Sequence, residues 1–120
     1  MVFFMEGMAI TKTKENGGVT IINVSGFVDA SNVYDFKKEV DDAIEAKNYK
    51  IIFDFTSLDY INSSGFGVLL DARERTMKQG GEVKILNLPS KIENLFKILG
   101  FTHLFPTFKD RIEAISSFKG

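Results

Sequence analysis

The residues best placed to do chemistry lie in one stretch of the chain, from Asp54 to Leu70. Within it, an amide and two hydroxyls follow one another at Asn62, Ser63 and Ser64, directly before an apolar segment with helical spacing. One interpretation is that these side chains cap the helix, because the first N–H groups of a helix need acceptors. The other is that a hydroxyl here carries a phosphate, since helix-terminal N–H groups and peptide dipoles stabilise added negative charge. The two interpretations are compatible.

Two glycines, Gly65 and Gly67, fall in the first turn of this predicted helix. Each weakens a helix by about 0.8 to 1 kcal/mol relative to alanine when it is held in the interior. Either the helix packs very closely on its neighbours, or its surface is kept bare so that another backbone can approach. Phe66 is a core residue or a surface anchor, and its helical spacing with Leu69 and Leu70 favours the core.

The residue types exclude most catalytic and metal sites. The chain has no cysteine and a single histidine, His103, to which we assign no role. It has no P-loop motif, no third glycine to complete a dinucleotide fingerprint after Gly67, and no leading glycine for a hydrolase elbow around the serines. Asp54 lacks the acidic neighbours that a phosphoacceptor aspartate needs for magnesium, so we expect it to accept hydrogen bonds from loop N–H groups. We predict no cofactor and no metal.

Size and charge restrict the function further. A chain of 120 residues and 13.5 kDa predicts one domain, residues 1–120. Its 15 basic and 16 acidic residues nearly cancel, which gives no support to direct nucleic-acid binding or to attraction by anionic membranes. No apolar run approaches the roughly 20 residues of a membrane span, and the opening Met1 to Met5 lacks the basic region of a signal peptide. We therefore expect a cytoplasmic protein.

The elements that must position the Asp54 to Leu70 stretch alternate between strands and helices. The pattern predicts a hairpin around Asn16-Gly17, a first helix after Asn32, a buried central strand from Lys50 to Phe55, a loop from Thr56 to Asn62, a second helix from Ser63, a strand from Val83 to Leu86, a third helix after Pro89, a short edge strand from Phe101 to Phe105 and a last helix after Asp110. This order predicts a mainly parallel sheet covered by helices, with function at the loops that leave the carboxyl ends of strands.

The same residues resemble the sulfate transporter and anti-sigma factor antagonist (STAS) domain family, and within it the free-standing bacterial anti-sigma factor antagonists. The strongest likeness is Asp54-Phe55-Thr56 followed by the segment from Tyr60 to Leu69, which is similar to the family pattern D-x-[ST]…[DN]-S-[ST]-G-[LF]-G-x-L. The segments Gly26 to Asp29 and Gly80 to Glu82 add to it, so that the likeness covers nearly the whole chain.

The resemblance implies an α/β fold with a mixed sheet of four to five strands and about four helices packed mainly on one face. It also implies no enzymatic activity, and regulation by partner switching. In that scheme the unphosphorylated protein binds a serine kinase that also acts as an anti-sigma factor, phosphorylation of Ser63 releases it, and a serine phosphatase resets it. The partner-binding residues that the resemblance implies are Asp29, Asn62, Ser63, Ser64, Gly65, Phe66 and Gly67.

Two positions leave alternatives open. The family usually has aspartate where this chain has Asn62, and the lost charge either eases placement of a phosphate or weakens a contact to the kinase. Asp29 matches an acidic position of the family near the phosphorylated loop, but it could equally cap the first helix. Two other functions compete with partner switching. One is a non-switching scaffold or transporter-associated module, and the other is a regulatory domain that binds nucleotide at the Ser63 to Gly67 loop.

Overall fold

The computed structural model describes residues 2–118, which form one mixed sheet of seven strands and four α-helices. Of the predicted domain 1–120, Met1, Lys119 and Gly120 lie outside the described residues. The strands are Val2–Met5 (β1), Met8–Glu15 (β2), Val19–Val28 (β3), Lys50–Asp54 (β4), Leu58–Ile61 (β5), Glu82–Leu86 (β6) and Thr107–Phe108 (β7). The helices are Val33–Glu45 (α1), Ser63–Met77 (α2), Ser90–Ile98 (α3) and Arg111–Ser116 (α4).

The sheet runs in the order β1-β2-β3-β4-β6-β7, and β5 pairs with β3. The first three strands form an antiparallel meander, and β3, β4, β6 and β7 are parallel. β3 is long enough to pair with two strands in succession, since its residues 19–23 face β4 and its residues 26–28 face β5. Parallel strands end at the same edge of a sheet, so the loops after β3 and β5 open side by side.

The helices cover the two faces of the sheet unequally. α1, α2 and α3 bury the larger core, in which Phe36, Phe66 and Phe96 lie against the sheet. α4 buries a smaller cluster on the opposite face through Ala114. Both faces of β4 are buried, with Ile52 facing α4 and its neighbours facing the larger core. This confirms the prediction of a central, fully covered strand.

The hairpin prediction is also confirmed. β2 and β3 pair from Met8–Gly26 to Glu15–Val19, and a short 3₁₀ turn, Asn16–Gly18, joins them. Gly17 and Gly18 both have positive φ, at 81° and 77°, a conformation that residues with a side chain rarely adopt. The turn residues therefore set the register of the longest strand pair in the molecule.

The predicted α/β fold with helices mainly on one face is confirmed, but the predicted count of four to five strands is wrong. The apolar opening pairs with β2 as β1, and the segment predicted as a loop between β4 and α2 contains β5. The predicted edge strand from Phe101 to Phe105 is also wrong. Phe105 is buried, its ring centre 6.0 Å from that of Phe96, and the short edge strand β7 begins only after Pro106. The apolar residues of that segment fill the core under α3 instead of extending the sheet.

Candidate functional site

The start of α2 is built around Asn62. Its side-chain Oδ1 accepts a hydrogen bond of 2.8 Å from the Gly65 N–H, which confirms the capping interpretation at this residue. Its own N–H donates to the carbonyl of Val28 at 3.0 Å, so the cap is tied to the end of β3. Asn62 is therefore held through both its side chain and its backbone, and these two bonds fix the direction of the first turn of α2.

Ser63 and Ser64 follow the cap and are both exposed. Their hydroxyls take no part in the side-chain hydrogen bonds of residues 2–118, and their N–H groups find no acceptor within that range. Asn62 has thus taken the capping role, and the serine hydroxyls stand free beside two unpaired N–H donors. Such a helix start favours negative charge, because the N–H groups point outward and the peptide dipoles add up.

Gly65 and Gly67 lie in different steric environments. A Cβ at Gly65 would lie 2.5 Å from Cγ1 of Ile61 and 3.1 Å from Cγ1 of Val28, so the helix start packs too closely on the sheet for any side chain. At Gly67 nothing lies within 4 Å of the corresponding position, and the residue is exposed. Close packing explains Gly65, whereas a bare surface describes Gly67.

Phe66 is 4% exposed, and its ring makes edge-to-face contacts with Phe96 and Phe101 at 5.1 and 5.7 Å between centres. This confirms the core interpretation over the surface anchor. Gly65 and Phe66 are buried, so neither can be part of the predicted partner-binding surface. Its exposed members in α2 are Ser63, Ser64 and Gly67.

Asp29 lies at the end of the strand next to the serines. Val28 pairs with Ile61, so Asp29 and Asn62 are the first residues beyond two neighbouring strand ends. The Asp29 carboxylate accepts hydrogen bonds from the N–H and the hydroxyl of Ser31, at 2.8 and 2.6 Å.

The residue at the N-cap position of α1 is Asn32, whose side chain makes no capping bond, so of the two roles left open for Asp29 the cap of this helix is not the one found. The Asn32 side chain accepts from the Asp29 N–H at 3.0 Å and donates to the Phe27 carbonyl at 2.9 Å. The carboxylate of Asp29 instead closes the turn before the helix, which holds a negative charge beside the start of α2.

A shallow groove of about 290 Å³ runs between α1 and α2 beside these residues. Its lining residues are Val33, Tyr34, Lys37, Ser64, Gly67, Val68 and Asp71. Tyr34 is 81% exposed and stands outside the apolar spacing of α1. Sequence reasoning missed Tyr34 and Lys37. The available signal was an aromatic side chain on the polar face of an amphipathic helix.

An ion cluster ties the two walls of the groove together. The carboxylate of Asp41 in α1 lies 2.7 Å from Nζ of Lys37 and 2.6 Å from a guanidinium nitrogen of Arg75 in α2. The hydrogen bond to Asp41 raises the pKa of Lys37. Burial alone would raise the pKa of Asp41, but the bonds from Lys37 and Arg75 outweigh it and hold that pKa below its ordinary value. Asp41 therefore stays ionised and fixes the spacing of α1 and α2.

Asp54 at the end of β4 has the role that the sequence predicts. Its Oδ1 accepts hydrogen bonds from the N–H of Thr56 at 3.0 Å and from the Thr56 hydroxyl at 2.6 Å. The side-chain amide of Asn87 donates to the same hydroxyl at 2.8 Å. This network closes the loop after β4 and leaves Asp54 with a structural role.

Two further observations concern residues 2–118. This part of the chain holds no group of three or more histidine, cysteine, aspartate or glutamate residues arranged to bind a metal ion. None of its helices has the length and apolar character needed to cross a membrane.

Three features meet where β3 and β5 end: the exposed Ser63 at the first position of α2, the capping side chain of Asn62 before it, and the turn closed by Asp29. The family model described as "STAS domain" matches residues 11–114, which include all of these features. The chain belongs to the STAS domain family.

Similar proteins include named regulators. The putative anti-sigma factor antagonist BtrV of Bordetella bronchiseptica is 28% identical over 112 residues, covering 93% of this chain and 96% of BtrV. The STAS fold of this chain superposes on the crystal structure of an anti-sigma factor antagonist from Mycobacterium paratuberculosis with a TM-score of 0.84, at 15% identity and coverage of 94% and 95%. It also superposes on the phosphorylated form of the Bacillus cell fate determinant SpoIIAA with a TM-score of 0.71, at 21% identity and coverage of 90% and 97%.

Proposed function

We propose that this protein is an anti-sigma factor antagonist, a regulator and not an enzyme, that changes partners when Ser63 is phosphorylated. Unphosphorylated, it binds a serine kinase that also acts as an anti-sigma factor. Phosphorylation of Ser63 by that kinase releases it, and a serine phosphatase restores the binding form. The observation that carries the proposal is the exposed, unbonded hydroxyl of Ser63 in the first turn of α2. The names of BtrV and the Mycobacterium paratuberculosis protein support the antagonist role, and the phosphorylated state of SpoIIAA supports the switch.

Ser63 and Ser64 are both exposed, but they differ in position. Ser64 lines the groove between α1 and α2, and Ser63 lies outside that lining, next to the Asn62 cap. A phosphate on Ser63 therefore sits at the helix start, next to the Ser64 end of the groove. A partner that docks on the groove and on Gly67 meets this charge at the rim of its contact surface.

The charge change is large enough to reverse binding without a change of fold. A phosphoserine adds about 1.5 to 2 negative charges, and the start of α2 stabilises negative charge by roughly 0.3 to 1 kcal/mol. In the complex, the same phosphate must either be desolvated or be repelled by the partner, and both reduce the binding free energy. A hundredfold weaker complex requires a loss of only about 2.8 kcal/mol of binding free energy. The free protein can thus accept the phosphate without a change of fold, whereas the same phosphate destabilises the complex with the partner.

Asn62 in place of the usual aspartate favours the phosphorylated state in this scheme. Its Oδ1 is occupied by the Gly65 N–H, and its Nδ2 has no acceptor among residues 2–118. That amide group is available to donate to a phosphate on Ser63, whereas an aspartate would set a second negative charge beside it. The neutral amide keeps the cap and removes the repulsion.

The test is a phosphopeptide map of the protein from its own cells, growing and stressed, with site localisation across residues 62–67. Phosphate on Ser63 that changes with condition supports the proposal. A loop that stays unmodified at full peptide coverage contradicts it and favours a non-switching scaffold. Capture experiments with Ser63→Ala, and with Ser90→Ala as the matched control because Ser90 is an exposed serine at the first position of α3, then identify the partner. A thermal shift with nucleotides tests the competing function of nucleotide binding.

A further inference from the structure

The two edges of the sheet differ in how they are protected. An open edge strand presents unpaired N–H and C=O groups, and proteins usually shield it with charge, proline, a bulge or shortness. The β7 edge has only two residues, follows Pro106 and is flanked by Lys109 and Asp110. β1 is also short, at four residues, and Glu6 follows it directly, but the strand itself lacks the other devices. Its residues Val2–Met5 are uncharged, contain no proline, and pair with β2 in an unbroken register.

The side chains of β1 are also unusually open for their type. Val2 is 47% exposed, Phe4 77% and Met5 37%. Phe3 points to the helix-covered face and packs against the main core, so the alternation of the strand places Phe4 on the opposite face. That face carries α4 only over β3, β4, β6 and β7, through Val19, Ile52 and Leu86 among others. The edge therefore combines free backbone groups with exposed apolar side chains.

We propose that β1 pairs antiparallel with β1 of a second copy of this chain, about a two-fold axis, and joins the two sheets into one. The occupant of this edge must be a strand, because only a strand can satisfy the row of backbone groups. It must also be apolar and uncharged at the contact. A second copy of β1 meets both conditions, and an isologous pair uses the same patch on each side.

The pleat of the strand restricts the register. Facing residues of an antiparallel pair point to the same side, so the helix-covered faces of both copies stay continuous only in every second register. Two such registers engage three residues of the strand each, one centred on Phe3 and one centred on Phe4. We assign the second, because it sets the most exposed side chain of the strand, Phe4, opposite Phe4 of the second copy on the open face. It then sets Phe3 opposite Met5 of the second copy on the helix-covered face. A shift by one residue would turn the second copy over and set its helices on the open face of the first, so the helix-covered faces would no longer be continuous.

The charges around the edge do not oppose association. A cleft of about 480 Å³ lies between β1 and α1, and it is lined by Val2, Phe3, Phe4, Ile10, Lys12, Lys38, Glu39 and Asp42. Its charges are paired inside the chain, Lys12 with Glu39 at 3.1 Å and Lys38 with Asp42 at 3.0 Å. Two copies can therefore approach without net repulsion. The contact is short and much smaller than a standard interface, so we expect a weak dimer that forms only at high protein concentration. It does not depend on the proposed switch.

The test is sedimentation equilibrium of the purified full chain from about 1 µM to about 1 mM, the weak limit of specific association. The variant Phe4→Glu places a charge on the edge, and Ile98→Glu in α3 is its matched control because Ile98 is 79% exposed. We expect wild type and Ile98→Glu to form dimers alike, and Phe4→Glu to associate at least tenfold more weakly.

Circular dichroism verifies that each variant is folded, and Val2→Lys replaces Phe4→Glu if that variant is not. A wild-type chain that stays monomeric at the highest concentration overturns the proposal. Equal weakening of association by Phe4→Glu and Ile98→Glu also overturns it, since the contact would then not involve β1.

Discussion

Alanine at Gly65 and at Gly67 will affect stability in opposite directions, although the two residues are two positions apart in one helix. At Gly65 the added Cβ falls 2.5 and 2.9 Å from Cγ1 and Cδ1 of Ile61, which is itself 1% exposed and has little room to move. Overpacking of this kind costs about 1 to 3 kcal/mol. Both substitutions gain about 0.8 to 1 kcal/mol of helix propensity. That gain cancels in the comparison, so Gly65→Ala is expected to be less stable than Gly67→Ala by about 1 to 3 kcal/mol.

Urea unfolding followed by circular dichroism measures this difference. We expect Gly67→Ala to equal or exceed wild type and Gly65→Ala to have the lower midpoint, with unchanged slopes. In thermal unfolding the two variants should differ by about 4 to 12 °C, at about 4 °C per kcal/mol for a chain of this length. Equal stability of the two variants would refute the argument that close packing selects glycine at position 65. Gly67→Ala should instead weaken partner binding, because its methyl group stands on the bare surface.

Three other substitutions test the site. Ser63→Ala should bind the partner constitutively and Ser63→Asp about a hundredfold more weakly, and equal affinities in calorimetry would defeat the switch. Asn62→Ala should lose about 0.5 to 2 kcal/mol of unfolding free energy, with Asn62→Asp, which keeps the cap, as its control in urea titrations. Asp41 has a lowered pKa in the folded protein, so its stabilisation is full above its unfolded pKa of about 3.9 and is lost as the pH falls through the folded value. Asp41→Asn should accordingly be less stable by about 0.5 to 1 kcal/mol at pH 7, and a deficit that does not shrink as the pH falls through the folded pKa of Asp41 would contradict the assignment.

Features governed by short-range chemistry could be predicted from the sequence. The Asn62 cap, the bonds of Asp54 to Thr56 and the turn at Gly17 each join residues at most four positions apart. The buried central strand from Lys50 follows from its continuous apolar run. These features depend on local hydrogen bonding and on the number of apolar residues in a row, and both are visible in the sequence.

β1 and β5 could not be predicted in the same way. β5 has only four residues, and the middle two, Asp59 and Tyr60, are exposed. It is a strand because β3 extends past β4 and offers a free edge to pair with. β1 is a strand because the turn before Met8 folds it back onto β2. Strand pairing of this kind depends on the neighbour more than on the segment's own pattern.

The sequence by itself determined the alternation of strands and helices, the capped start of α2 and the core position of Phe66. Tertiary structure alone decided which glycine is crowded and which is open, that the Ser63 hydroxyl is exposed while Tyr34 stands in the groove, and that Asp41 bridges α1 to Arg75 in α2. The physical reason is separation along the chain. A cap or turn is fixed by neighbours within a few residues, whereas burial and ion pairing at this site depend on where distant strands and helices meet.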